Sequence, residues 1–240
     1  MEKAKFGENG PLVTPEQFIQ QAGNRYPDEI KPICPACKEP VFPHGVHSPN
    51  TTSKFNHYPL PPEADPADDC ILAERQKKRF AGMYPSGWDE QHGKILRDTF
   101  FTEDNIRLTY GFMFSLCGKG NFPLKTFVQC IMRADSKNIW SYKNIPLWIM
   151  PYIFLTFYTY PHDGDGKEFY FYFKKSASQS ASELWIQSWK CKLMKVYKDS
   201  GNVYKCSNNP CTLNKDIPRK LAGNTSWISQ NIISRILELR

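Results

Sequence analysis

The sequence lacks an apolar run of the length that a membrane-spanning helix needs. Its most apolar stretch, residues 145–158, is about 14 residues long and is interrupted by Pro146 and Pro151, whereas a bilayer requires about 20 residues. The residues that follow Met1 are polar and lack the apolar segment of a secretory signal. We therefore expect a cytoplasmic protein without a membrane partner, and we interpret residues 145–158 as a buried core helix.

Several catalytic motifs are also absent from the sequence. No His-x-Glu element occurs, so the pattern of the zinc-dependent deaminases is missing. No Gly-x-x-x-x-Gly-Lys-Ser/Thr frame is present to bind a nucleotide phosphate. No serine or cysteine lies in the strand-to-helix turn that activates a nucleophile in hydrolases. These absences favour non-enzymatic binding over catalysis.

Acidic residues are scarce in the second half of the chain. Residues 106–240 contain 19 Lys and Arg against 8 Asp and Glu, whereas residues 1–105 contain 12 against 16. A strongly basic region is typical of proteins that bind polyanions. We therefore expect nucleic acid or a nucleoprotein complex as the partner, and the alternative is a lysine-rich surface that only aids solubility.

Cysteine and proline dominate the segment from residue 34 to residue 70. It contains Cys34-Pro35-Ala36-Cys37 and eight prolines but few apolar residues at regular spacing. A segment so poor in apolar side chains cannot fold by burial alone, and a bound metal ion would supply the missing free energy. In a reducing cytosol, cysteines are also more often metal ligands or free thiols than disulfides. The sequence therefore predicts a zinc-stabilised module here.

We predict that Cys34, Cys37, His57 and Cys70 bind one Zn²⁺ ion. Two cysteines separated by two residues can place both sulfurs on one ion, and His57 and Cys70 complete a tetrahedral set. His44 and His47 are the alternatives for the histidine position. Four protein ligands leave no open position, which indicates a structural ion.

Two elements of this segment resemble the N-terminal zinc ribbon of the competence protein CoiA-like family. They are Cys34-Pro35-Ala36-Cys37 and Phe55-Asn56-His57, which correspond to the Cys-Pro-x-Cys pair and the Phe-x-His element of that family. The resemblance implies a zinc ribbon, which in that family precedes a restriction-type nuclease domain. The nuclease motif, an Asp followed by Glu-x-Lys or Glu-x-Gln, is not found here. The resemblance therefore favours DNA-associated work without that nuclease activity.

The rest of the chain predicts an α+β fold. Hydrophobic spacing, caps and propensities predict helices from Pro15 to a stop at Gly23, over 68–80, over 88–101, over 124–134 and over 228–239. A strand is predicted over 168–175 and a hairpin over 190–206. We expect an N-terminal arm (1–33), a zinc-binding module (34–80) and a basic, aromatic-rich domain (81–240), with central helices and a C-terminal antiparallel β-rich segment.

The preferred function is that of a zinc-binding accessory protein whose basic half binds DNA or RNA. Small zinc-bearing accessories of this kind suggest a bacterial mobile-element or phage-defence system. Lysines that alternate with aromatic residues are typical of proteins that bind single strands. The predicted nucleic-acid-binding residues are Lys174, Lys175, Lys190, Lys192, Lys195, Lys198 and Lys205.

Two other functions remain open at this stage. A metal-dependent nuclease would use the carboxylates of Asp69, Glu74 and Asp89 together with His92 to hold a divalent ion. An adaptor protein would instead use its aromatic residues to bind another protein.

A second metal site is a further alternative. Cys191, Cys206 and Cys211 could supply its ligands, although the loose spacing and the lack of a nearby histidine favour free or buried thiols.

Overall fold

The computed structural model describes residues 1–76, 79–118, 120–161, 166–175, 184–186 and 188–240. Helices and antiparallel sheets both occur, which confirms the α+β class. The chain forms two compact units, Met1–Lys77 and Lys78–Arg240. Residues 1–33 belong to the same unit as the cysteine-rich segment, and the three-part division at residues 33 and 80 stays a prediction.

The first unit contains two small antiparallel sheets and one α-helix. A three-stranded sheet has the order β2-β1-β3, and β4 pairs with β5 in a hairpin. The bounds are β1 Ala4–Phe6, β2 Leu12–Val13, α1 Pro15–Ala22, β3 Pro32–Ile33, β4 Val41–His44 and β5 Lys54–His57.

Helix α1 begins and ends where its capping residues predict. The Gln17 N–H donates to Thr14 Oγ1 at 3.3 Å, and the Thr14 N–H donates to Gln17 Oε1 at 2.9 Å. This reciprocal pair satisfies donors that an uncapped helix would leave without partners. The helix buries Phe18, whose ring lies 5.3 Å from that of Phe6 and 6.1 Å from that of Phe55. The predicted capping box is confirmed.

The helix predicted over 68–80 is wrong. The described part of this segment forms only two short 3₁₀ turns, Pro66–Asp68 and Glu74–Gln76; Lys77 and Lys78 lie outside the described residues. Asp65 caps the first turn, accepting a hydrogen bond from the Ala67 N–H at 2.8 Å, and the backbone then becomes extended at Asp69. Charges placed as in a helix did not outweigh the burial of Asp69 and Cys70, both less than a tenth exposed.

The second unit contains six α-helices among its described residues. They are α2 Glu90–Phe100, α3 Glu103–Cys117, α4 Leu124–Ser136, α5 Met150–Leu155, α6 Ile217–Ala222 and α7 Gln230–Leu237. The helices predicted over 88–101, 124–134 and 228–239 are confirmed as α2, α4 and α7. Helix α3, the longest of the six, was not predicted.

The apolar stretch 145–158 lies in the core of the second unit. It forms a 3₁₀ turn, Leu147–Ile149, and then α5, whose six residues are all buried. The Phe154 ring lies 5.4 Å from Phe100, 5.7 Å from Trp140 and 6.4 Å from Phe127. None of the described helices combines the length and hydrophobicity that crossing a membrane would require. The interpretation of this stretch as a buried core segment is confirmed.

A four-stranded antiparallel sheet of order β6-β7-β8-β9 follows. Its strands are β6 Thr159–Tyr160, β7 Phe169–Lys175, β8 Cys191–Tyr197 and β9 Cys211–Thr212. Phe169, Phe171 and Phe173 are buried on one face of β7, whereas Lys174 is exposed on the other face. The predicted hairpin after residue 190 is confirmed, because Val196 of β8 pairs with Val203.

Candidate metal centre

The two cysteines closest in sequence lie in a tight turn after β3. The Cys34 N–H donates to the Glu39 carbonyl at 2.9 Å, and the Lys38 N–H donates to the Cys34 carbonyl at 3.0 Å. Lys38 adopts a left-handed conformation with φ 63°, which allows the chain to reverse within so few residues. The turn thereby brings the Cys34 and Cys37 thiols to one side.

The β4–β5 hairpin places His57 beside this turn. Val41, just after the turn, pairs with His57 at the end of β5. The His57 Nε2 atom then lies 3.6 Å from the Cys37 sulfur. The rival histidines are elsewhere in the unit: His44 pairs with Lys54, and His47 lines a separate cleft with Ile19.

Cys70 completes the cluster from the segment after the first 3₁₀ turn. Its sulfur lies 3.7 Å from that of Cys34 and accepts a hydrogen bond from the Leu72 N–H at 3.4 Å. The ligand atoms of Cys34, Cys37, His57 and Cys70 all lie within 4.8 Å of one another. These four residues form a cluster that can hold a metal ion, and no other group of three or more such side chains occurs in the described ranges.

The electrostatics of the cluster favour a cation. Hydrogen bonds from the thiols of Cys34 and Cys70 hold the pKa of Cys37 far below its usual range. The same hydrogen bond to Cys37 raises the pKa of Cys34 to about 12, and donation to Cys34 raises that of Cys70. Without an ion, one thiolate is therefore stabilised by two protonated thiols. A cation would take the place of those protons, because the thiolate is the form that binds metal.

A buried carboxylate supports Cys70 from outside the cluster. Asp69 is 2% exposed, and its Oδ1 atom accepts hydrogen bonds from the Cys70 N–H at 2.9 Å and from Arg75 Nη2 at 2.7 Å. Arg75 also donates to the Tyr58 carbonyl at 3.1 Å. Asp69 was expected to be a nuclease ligand, but its oxygens are used by Arg75 and the backbone. Sequence reasoning missed Arg75, although its position six residues after a carboxylate was visible.

Replacing Asp69 with asparagine should weaken metal binding by about 10- to 100-fold, the usual cost of losing a group that supports a ligand. The amide cannot pair with the Arg75 charge, so the backbone at Cys70 loses its orientation. Competition with a chromophoric chelator measures the affinity. The matched control is Asp68→Asn, which removes an exposed neighbouring charge. Equal affinities for the two variants would contradict this role.

The other nuclease candidates have structural roles. Asp89 caps α2, accepting a hydrogen bond from the His92 N–H at 2.9 Å, and His92 Nε2 lies 2.9 Å from the Ile145 carbonyl oxygen. Glu74 is exposed in a 3₁₀ turn of the first unit. The prediction that these residues and Asp69 share a divalent ion is therefore wrong for the residues that the structure describes.

The predicted nucleic-acid-binding lysines fall into different environments. Lys174, Lys192 and Lys205 are exposed, whereas Lys175 and Lys190 are half-buried. Lys198 is exposed but forms an ion pair with Glu168.

Lys195 is a correction to the predicted set. Its side chain is only 4% exposed, and its ammonium donates to the carbonyl oxygens of Leu116 at 3.1 Å and Cys117 at 3.4 Å. Those carbonyls end helix α3, which explains why a cation is buried there. Lys195 is therefore not available to a phosphate at the surface.

The remaining cysteines do not form a second cluster in the described part of the chain. Cys191 and Cys211 are buried, whereas Cys206 is exposed. Burial raises the pKa of Cys211 to about 11, so this thiol remains protonated. The preference for free thiols at these positions agrees with this arrangement.

Comparison of the chain with family models, with curated proteins and with solved structures finds no match in any of the three. The functional argument therefore depends on the geometry of the cluster and of the basic surface.

Proposed function

We propose that this chain is a zinc-bearing accessory protein that binds nucleic acid. Zn²⁺ would be held by Cys34, Cys37, His57 and Cys70, and the exposed lysines of the second unit would contact phosphates. An association with mobile elements or phage defence stays a prediction.

The donor set supports zinc as the ion. Three sulfurs and one imidazole nitrogen are soft or borderline donors, and no carboxylate belongs to the group. Such a set is typical of structural zinc sites, whereas Mg²⁺ and Ca²⁺ prefer oxygen. With four protein ligands the ion has no position left for a reacting water. Its role would be to stabilise the fold of the first unit.

The observation that carries the nucleic-acid proposal is a pair of lysines in the sheet. Lys174 and Lys192 lie directly opposite each other on β7 and β8, and both are exposed. Neither forms an ion pair with a residue that the structure describes. Like charges in this position destabilise a sheet by about 0.2–1 kcal/mol. A bound polyanion would relieve that repulsion.

Aromatic rings on the same sheet face support a single-stranded ligand. Tyr170 and Tyr172 alternate with Phe residues and therefore share the face of Lys174; their rings lie 6.3 Å apart, and both are half-buried. Rings beside lysines are typical of proteins that bind unpaired strands, because bases stack while ammonium groups contact phosphates. The second unit also has 23 Lys and Arg against 13 Asp and Glu, a net charge of +10.

The test is the salt dependence of binding to a labelled single-stranded oligonucleotide. Lys174→Gln/Lys192→Gln should lower the slope of log affinity against log salt by about 2, because each lost phosphate contact removes about one released counterion. Lys94→Gln/Lys125→Gln removes two exposed charges on helices α2 and α4 and serves as the control. No binding by the wild-type chain, or identical slopes for both variants, would contradict the proposal. An adaptor protein would bind no oligonucleotide at any salt concentration.

A further inference from the structure

A cleft at the end of the β8 hairpin lies apart from the metal cluster and from the Lys174–Lys192 pair. It has a volume of about 470 Å³ and is lined by Lys167, Tyr197, Ser200, Asn202, Val203 and Lys205. One aromatic ring, two ammonium groups, two small polar side chains and an exposed valine thus share one concave surface. This combination suits a ligand that has both a flat ring and a negative charge.

The rim of the cleft is held by backbone hydrogen bonds. The Gly201 N–H donates to the Tyr197 carbonyl at 2.9 Å, and the Tyr197 N–H donates to the Asn202 carbonyl at 3.0 Å. The Asn202 N–H also donates to Ser200 Oγ at 3.2 Å. Gly201 has φ 66°, a conformation that favours glycine. The polar side chains of the turn are therefore positioned before any ligand arrives.

The apolar part of the cleft fits a flat ring. The Tyr197 ring is supported by Tyr204, at 5.1 Å between centroids and an interplanar angle of 33°. Val203 is 48% exposed, unusual for a large apolar side chain whose backbone pairs with a strand. A base that stacks on Tyr197 would cover Val203 as well. The amide of Asn202 can both donate and accept hydrogen bonds to the edge of such a base.

The charged part of the cleft fits a phosphate. Lys205 is exposed and forms no ion pair with any residue that the structure describes. The Lys167 ammonium lies 5.7 Å from the centroid of the Tyr197 ring, so positive charge lies close to the stacking surface. Glu168, which follows Lys167, forms an ion pair with Lys198. That ion pair offsets the carboxylate charge that would otherwise repel a phosphate.

We propose that this cleft binds one nucleotide, with its base on Tyr197 and Val203 and its phosphate on Lys205 and Lys167. The nucleotide is either free or part of a strand, and the second case rests on the proposed function. Its site is distinct from the Lys174–Lys192 pair, because Tyr197 pairs with Phe169 at the opposite end of β7 from Lys174.

The experiment titrates the full chain with three probes: inorganic phosphate, uridine monophosphate and an eight-nucleotide oligouridylate. Calorimetry gives the affinity. Tyr197→Leu should weaken nucleotide binding by about 5- to 100-fold through lost stacking. Lys205→Gln should weaken it by about 10-fold and, being an exposed substitution, leaves the fold intact. Lys94→Gln is the control. Weaker binding of phosphate than of the nucleotide is expected, because phosphate lacks the ring.

Each outcome separates the cleft from the proposed function. Monophosphate binding that both cleft variants weaken supports a site for free nucleotides. Oligonucleotide binding alone, weakened by both variants, supports a site within a strand. Oligonucleotide binding that Lys174→Gln/Lys192→Gln weakens and both cleft variants leave unchanged overturns the cleft proposal only. Monophosphate binding without oligonucleotide binding overturns the proposed function only, and no binding of either overturns both.

Discussion

Replacing Cys37 with serine should abolish metal binding and unfold the cysteine-rich part of the first unit. A structural zinc ion contributes folding free energy of about 10 kcal/mol, far more than a serine hydroxyl can replace. Segment 58–76 has no helix longer than a 3₁₀ turn to hold it otherwise. Hydrogen exchange of backbone amides should show lost protection at Cys34, Lys38 and Leu72, whose N–H groups are all bonded near the cluster.

The matched control for this variant is Cys206→Ser. Cys206 is an exposed thiol in the second unit and does not belong to the cluster. It should retain the metal and the protection pattern of the wild type. If Cys37→Ser also kept both, the turn and the hairpin would be stable without an ion, and the assigned role of the cluster would be wrong.

Replacing Lys195 with methionine should destabilise the second unit by about 3 kcal/mol. The ammonium lies 3.9 Å from the centroid of the Phe169 ring and 4.0 Å from that of Tyr204, besides its two carbonyl acceptors at the end of α3. Methionine fills similar space but leaves the carbonyls of Leu116 and Cys117 without this donor. Urea denaturation measures the loss. Lys192→Met, exposed on the same strand, should change stability by less than about 0.5 kcal/mol.

The same pair of variants should show a pH dependence of known sign. Burial lowers the pKa of Lys195 from its ordinary value of 10.5 in the folded protein. As pH rises through the interval between the lowered value and 10.5, the unfolded chain therefore holds more protons than the folded one. Wild-type stability should rise relative to Lys195→Met across that interval. A constant or shrinking difference would contradict the burial of a charged ammonium.

Local signals explain which elements could be predicted from the sequence. Helix α1 has its cap, its N-terminal proline and its terminal glycine within ten residues, so its bounds depend on little else. Helix α4 has apolar residues at helical spacing on one face. The Cys34-x-x-Cys37 pair is similarly local, and the distances from His57 and Cys70 to these cysteines agree with the ligand set predicted from spacing.

Tertiary packing explains the failures. Helix α3 buries residues on several faces, including Tyr110, Phe112 and Met113 in consecutive turns, so it has no single apolar stripe to recognise. The segment 68–80 has helical propensity, yet the burial of Asp69 and Cys70 beside Arg75 prevents a helix. Lys195 resembled its exposed neighbours in sequence, and only the end of α3 against β8 shows why it is buried.

X-ray absorption at the zinc edge, on the purified full chain, tests the central claim most directly. The account predicts one zinc ion per chain, with three sulfur ligands at about 2.3 Å and one nitrogen at about 2.0 Å. A chain whose residues 34–70 are ordered without stoichiometric metal, or whose zinc is bound only by oxygen and nitrogen, would contradict it.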